Sequence, residues 1–208
     1  TEPINVSKTM FTALDLVSIQ TQTRVKDDKV RRTKSITEIN HYDPENDEIN
    51  VQDVYQWQAE SDQFMQMGDS NTLEGIAFDR GWHRDRIDKE LFARELVLAY
   101  LIQEGLNTYT QVAATLQAFL NDPETILTLI ANDDLERSLE DLREMESVEI
   151  DIDPDKEAMV PRPEATEPML EETEAILERA EPVLAEYRDV EDAPDLTEAL
   201  DVEPAEDV

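Results

Sequence analysis

The chain has 208 residues, no cysteine, only two histidines, and 51 acids against 18 bases, for a formal net charge of −33. Without cysteine, neither disulfides nor thiolate metal sites can form, and His41 and His83 are too far apart in sequence to suggest a histidine metal site. The charge argues against nucleic acid as a partner, because holding a polyanion needs a basic footprint, and no apolar run approaches the ~20 residues that span a bilayer.

The acidity is graded. Residues 1–60 carry 11 acids and 7 bases, residues 61–148 carry 18 and 7, and residues 149–208 carry 22 and 4. The last stretch also holds 7 of the 10 prolines and, of the aromatics, only Tyr187. That composition buries too little apolar surface to offset the entropy of ordering, so a mostly disordered acidic tail is expected over 149–208. The acidity of 61–148 needs another cause, and a halophilic background supplies one. In molar salt the screening length falls to ~3 Å, and a dense acidic surface loses most of its self-repulsion. There is no signal peptide and no initiator Met; the chain opens at Thr1 in what reads as mid-domain sequence. A piece of a longer protein is expected, and Thr1 also suits the residue left after removal of a protein splicing element.

In chain order, Thr1–Ala13 reads as a loop feeding a helical turn. Leu14–Val25 is a strand, with Ile19, Thr21, Thr23 and Val25 on one face and Gln20, Gln22 and Arg24 on the other. Lys26 to Lys29 makes a tight turn, and Val30–Ile39 returns as the second strand of a hairpin. His41–Glu48 is turn chemistry. Ile49–Ala59 is the third strand. Its alternation points Ile49, Val51, Tyr55, Trp57 and Ala59 into a core and Asn50, Gln52, Gln56 and Gln58 away from it.

From Ser70 the period changes to 3.6. Short helix Asn71–Phe78 is stopped by Gly81, and helix His83–Gln103 by Gly105. The all-apolar Leu96–Ile102 marks the second of these as buried. Asn107 or Thr108 caps a helix over Thr110–Leu120, and Asp122-Pro123-Glu124 opens another. Leu135, Leu139, Leu142 and Met145 stripe a last one. In the tail, Met169–Tyr187 has helical spacing interrupted by Pro182, so a frayed or conditional helix is expected over 169–187. The fold class is α+β: a three-stranded antiparallel meander (1–67), an α-helical subdomain (68–148) and the acidic tail (149–208).

The absent motifs narrow function. The four glycines, at 68, 75, 81 and 105, stand singly, so there is no phosphate loop and no dinucleotide fingerprint. No nucleophile elbow or zinc-protease helix is present. Carboxylate pairs at any spacing arise by chance among 51 acids. Arg24, Lys26, Lys29, Arg31, Arg32 and Lys34 form the one dense basic patch. Either they neutralise neighbouring acids, which is the simpler account, or they meet an anionic partner such as phosphate or an acidic subunit. Tyr55 and Trp57 read as core, His41 as a turn residue and His83 as an exposed residue of a first helical turn. In Asp79-Arg80-Gly81-Trp82-His83-Arg84-Asp85-Arg86, Trp82 either docks on the core or faces a partner.

Leu14-Asp15-Leu16-Val17, followed by Arg31-Arg32 and Ile36-Thr37-Glu38-Ile39, resembles the part of type II/IV secretion ATPases that follows their nucleotide-binding motifs. These are the hexameric motors of type IV pili, archaella and type II secretion. The stretch NTYTQVAATLQAFLNDPETILTLI is similar to the C-terminal helices of archaeal, notably haloarchaeal, members. The resemblance covers roughly residues 1–153.

It implies the C-terminal piece of a RecA-like motor domain, cytoplasmic and peripheral to the inner face of the membrane. Implied partners are the N-terminal motor half, neighbouring motor subunits and a membrane platform protein. ATP and Mg²⁺ are implied for the complete family protein, but the family's catalytic boxes precede this region, so no catalytic, cofactor-binding or metal residue carries over. Arg31 and Arg32 become candidate subunit-facing or nucleotide-proximal contacts. The isolated chain is expected to be inactive. The competing expectation is a stand-alone acidic interaction module that regulates assembly; a third is a decayed gene product.

Overall fold

The computed structural model describes residues 7–25, 28–145, 162 and 165–188. Lys26 and Asp27 of the expected turn, and the acidic stretches 146–161 and 189–208, lie outside the described residues. The chain divides into two compact units, Thr1–Asp88 and Lys89–Val208.

In the first unit a 3₁₀ helix, Lys8–Ala13, leads into a sheet of order β1-β2-β3-β4, all pairs antiparallel. The strands are β1 (Leu16–Val25), β2 (Asp28–Asp43), β3 (Glu48–Gln58) and β4 (Gln63–Gln66). The sheet thus has four strands and not the expected three. All four side chains of β4 are exposed, so Gln63-Phe64-Met65-Gln66 carries no in–out alternation for a sequence reading to find. β2 also runs beyond Ile39 to Asp43, which places His41 in a strand and shortens the turn to Pro44–Asp47.

Along β1 the expected alternation holds from Gln20 onward: Thr21, Thr23 and Val25 are half-buried, while Gln20, Gln22 and Arg24 are exposed; Ile19, expected on the inner face, is 46% exposed where the register shifts between Ile19 and Gln20. On β3 the expected face fails. Thr37 pairs with Asp53 and Ile36 with Tyr55, so Val54 is an extra residue that breaks the period of two. Val54 is the residue that is buried, whereas Val51 and Tyr55 are 55% and 39% exposed.

Helix α1, Asn71–Arg80, follows in the same unit. The Ser70 hydroxyl accepts from the Leu73 N–H at 3.1 Å as its N-cap. Gly81, at φ 62°, closes it in the left-handed region, where a side chain would add strain.

Helix α2, Arg84–Gln103, spans the boundary between the units and leads into α3 (Tyr109–Asn121), α4 (Pro123–Ala131) and α5 (Leu135–Met145). Thr108 caps α3 in a reciprocal box with Gln111, and Asp122 caps α4 with Pro123 at its first position. Leu96, Val97, Phe119, Ile126, Leu135 and Leu142 fill one apolar core. Buried threonines stay satisfied: Thr115 and Thr128 each donate to the carbonyl four residues back at 2.9 Å.

The last helix, α6, runs unbroken over Glu167–Arg188 with Pro182 inside it. Proline forfeits one helical hydrogen bond, but packing offsets the loss. Ala180 and Leu184 are buried in the core, Gln103 donates to Thr173 at 2.7 Å, and Arg188 donates to the Ala131 carbonyl at 2.9 Å.

Three tight turns place an aspartate, not a glycine, at positive φ: Asp47 (53°), Asp62 (55°) and Asp133 (58°). Short polar side chains tolerate that region better than others. Each of the three also makes a side-chain contact. Asp47 accepts from Lys8 and Tyr42, both at 2.7 Å, and Asp133 accepts from the Tyr100 hydroxyl at 2.8 Å.

Candidate functional site

The basic patch lies on the β1–β2 hairpin, and the sheet divides it by side-chain parity. Thr21 faces Arg32 and Thr23 faces Val30 on the half-buried side; Gln22 faces Arg31 and Arg24 faces Lys29 on the exposed side. Lys34 is the extra residue where the register shifts between Ser35 and Thr33, and it too is exposed. Lys26 is outside the described residues.

Arg32 is not free to meet a ligand. Its Nε and Nη2 donate to the two oxygens of Asp62 at 2.7 Å each, in a bidentate fork. The Trp57 indole N–H donates to the same carboxylate at 2.9 Å. Arg32 holds the Asp62 carboxyl below its ordinary range; partial burial opposes this and Trp57 adds to it. Trp57 is therefore the half-buried arm of a polar cluster and not a core residue, which corrects the expectation for its strand face. Arg31 projects to the other side and has no ion-pair partner among the described residues.

A second cluster centres on Glu38, from the stretch Ile36-Thr37-Glu38-Ile39. Its side chain is 1% exposed. The Ser70 hydroxyl donates to Oε1, the Asn71 N–H to Oε2 at 2.8 Å, and the Thr72 N–H to Oε1 at 3.2 Å. A carboxylate here satisfies donors that the first turn of α1 would otherwise leave unpaired, and it meets the positive end of the helix dipole. Burial pushes the carboxyl up, but the donors from Ser70, Asn71 and Thr72 together outweigh it and hold the pKa below the usual range. Glu38 is thus a structural pin between β2 and α1.

Trp82 lies half-buried with the guanidinium carbons of Arg80 and Arg86 at 4.8 Å and 4.3 Å from its ring centroid, within cation–π range. His83 is exposed immediately before α2. Among the described residues, no group of three His, Cys, Asp or Glu is placed to hold a metal ion, and no helix is long and apolar enough to cross a membrane. What the hairpin offers chemically is charge: a strip of exposed cations on rigid strands.

Sequence reasoning found the basic residues but not how they divide. Asp62 was missed, although an aspartate in the Ala59–Asp62 turn is the residue type that adopts positive φ. The link from Glu38 to Ser70 spans 32 positions, and no local signal announces it.

Residues 60–141, from the turn after β3 into α5, match the family described as PilB3-like, C-terminal. The matched stretch takes in β4, helices α1–α4 and the first part of α5, and Arg31 and Arg32 lie outside it. Two uncharacterized proteins of Methanocaldococcus jannaschii are similar to this chain. MJ1287 is 42% identical over 106 residues, which are 51% of this chain and 39% of that protein. MJ0900 is 31% identical over 122 residues, which are 57% of this chain and 22% of that protein. The chain spans well under half the length of either relative.

Proposed function

We propose that the chain is the C-terminal part of an archaeal secretion or pilus-assembly motor ATPase, of haloarchaeal type. The carrying observation is the match of residues 60–141 to the PilB3-like C-terminal family. In this reading residues 1–67 complete the sheet of a RecA-like motor domain in a hexamer. Residues 68–148 contact neighbouring subunits and a membrane platform protein, and 149–208 form an acidic tail. ATP and Mg²⁺ belong to the remainder of the motor, which works in the cytoplasm against the membrane's inner face.

Arg31 is the subunit-facing or nucleotide-proximal contact, and Arg32 supports it by fixing the hairpin through Asp62. The sparse burial of the sheet unit supports this assignment. Its buried apolar residues, among those described, are Val54 and Ile87, while Leu16, Ile19, Phe64 and Met65 stay about half exposed. A sheet of that kind is stabilised by further chain packed against it.

The test is reconstitution of the chain with the N-terminal motor half, scored by ATP hydrolysis. The chain alone is expected to hydrolyse nothing. The reconstituted pair is expected to hydrolyse ATP, and Arg31→Ala to lower that rate. Hydrolysis by the chain alone, abolished by Arg31→Ala, would overturn the proposal.

A further inference from the structure

Helix α4 is buried at Thr125, Ile126, Leu127, Thr128, Ile130 and Ala131, six of its nine positions. A helix buried on most of its circumference needs cover on more than one side. α3 and α5 supply part of that cover, and α6 supplies another part. The stretch that matches the PilB3-like family holds α4 but ends at residue 141, before α6 begins at Glu167. Within the matched stretch, α4 therefore keeps an apolar side that is covered by a helix from outside it.

The seat of α6 is a narrow seam. Thr173, Leu177, Ala180, Leu184 and Tyr187 turn inward. Their separations alternate between four and three residues, the spacing of one helix laid along another. Pro182 is exposed, about 200° round the helix from both Ala180 and Leu184, so the backbone bond it forfeits lies away from the seam. Beside the seam, Gln103 donates to Thr173 and to the Leu170 carbonyl, Arg179 donates to Glu95, and Arg188 donates to the Ala131 carbonyl.

Charge does not seat this helix. Its seven glutamates and two arginines leave α6 at −5, the same sign as the whole chain. Repulsion opposes docking at low salt and is screened in molar salt. Apolar contact along the seam has no such weakness, so the seat suits the haloarchaeal setting proposed above.

We propose that the apolar side of α4 is a helix-docking surface whose occupant is exchangeable, and that in an assembly it takes α6 of a neighbouring copy. The inference rests on the reading of the chain as one subunit of a multi-copy assembly. Between Met145 and Glu167 lie the twenty-one residues 146–166. A chain of that length reaches about 70 Å when extended, roughly twice the length of α6 itself. Such a tether serves a neighbour's surface as well as its own. Exchange keeps the contacts of α6 and changes only which copy supplies them, so the balance is set by the effective concentration of neighbouring copies.

The first test uses the full-length chain carrying Leu184→Asp, which loosens its own α6, and a fluorescent peptide of residues 165–188 in molar salt. Saturable uptake is expected, about tenfold or more tighter than by the parent chain, whose surface is already filled. A peptide carrying Leu184→Asp should not bind, and uptake should strengthen as salt rises. Leu184→Ala is measured alongside as the milder variant.

The second test exploits the absence of cysteine from the chain. One full-length copy carries Asn132→Cys, beside the carbonyl that Arg188 meets, and another carries Arg188→Cys. Mixed at high concentration with a short bismaleimide, the two should accumulate a cross-linked heterodimer. Adding Leu184→Asp to the Arg188→Cys copy should abolish it.

Four outcomes overturn the proposal: no peptide uptake by either Leu184 variant, uptake that weakens as salt rises, no cross-linked heterodimer, or a loss of helical circular dichroism in both variants greater than the 22 residues of α6. The last would make α6 an inseparable part of the core. Neither test needs ATP or the motor half, so failure here is separable from failure of the reconstitution.

Discussion

The two compact units are held together by different physics. In Lys89–Val208, Leu96, Ile126 and Leu135 are at most 1% exposed within one apolar cluster fed by α2 to α6. In Thr1–Asp88, the most buried side chains include Glu38 and Ser35, and the fixed points are Glu38 on the start of α1 and Asp62 between Arg32 and Trp57. Apolar burial is non-directional and adds with area, so the helical unit tolerates imprecision. A polar pin acts through geometry, and losing one partner leaves the other unsatisfied. One unit carries its own core; the other has directional clasps on a sheet whose large side chains remain exposed.

The contrast is broken most forcefully in the helical core. Ile126→Ala removes a fully buried side chain and is expected to destabilise that unit by about 2–5 kcal/mol, read as a lower urea midpoint by far-UV circular dichroism. A cost near that of a surface change would mean that apolar packing is not what holds the unit.

Next comes Glu38→Ala in the sheet unit, expected to cost about 1–3 kcal/mol because buried donors lose their acceptor. The pH dependence follows from the direction of the shift. Glu38 in the folded protein titrates below its unfolded value of about 4.3. Its stabilisation is therefore full above that pH and is lost as pH falls through the lower folded pKa. Glu38→Gln should flatten this part of the acid limb, and an unchanged limb would remove Glu38 from the account.

The smallest effect is expected at Asp62→Asn, about 1–2 kcal/mol for a partly exposed charged clasp. Measured in a Trp82→Phe background, it should shift Trp57 emission. Unaltered emission would show that the indole does not depend on Asp62.

Legibility differed between the units for the same reason. The helices could be read because their signals are local: Thr108 and Gln111, Asp122 and Pro123, and Gly81 and Gly105 each act within one turn. The sheet could be read only where its period held. Along β1 it did from Gln20 to Val25, but Ile19, just before a shift in register, lies exposed and not on the inner face where the alternation put it. The extra residue at Val54 reversed the parity of β3, so Val51 and Tyr55 were assigned to a core they do not enter. β4 offered no alternation at all. The candidate site was half legible. Arg31 and Arg32 are adjacent letters, but a strand turns neighbours to opposite faces, and what Arg32 meets is decided by Asp62, thirty positions later.

The left-handed aspartates have a consequence for how the chain finds its shape. At Asp47, Asp62 and Asp133 the residue that reverses the chain also grips a side chain elsewhere: Lys8 and Tyr42, Arg32 and Trp57, and Tyr100. A glycine would supply the bend and nothing more. With aspartate, a turn formed in the wrong register presents its carboxylate to no partner, and a turn formed correctly is latched as it closes. Direction and alignment are thus proofread by a single side chain at each reversal.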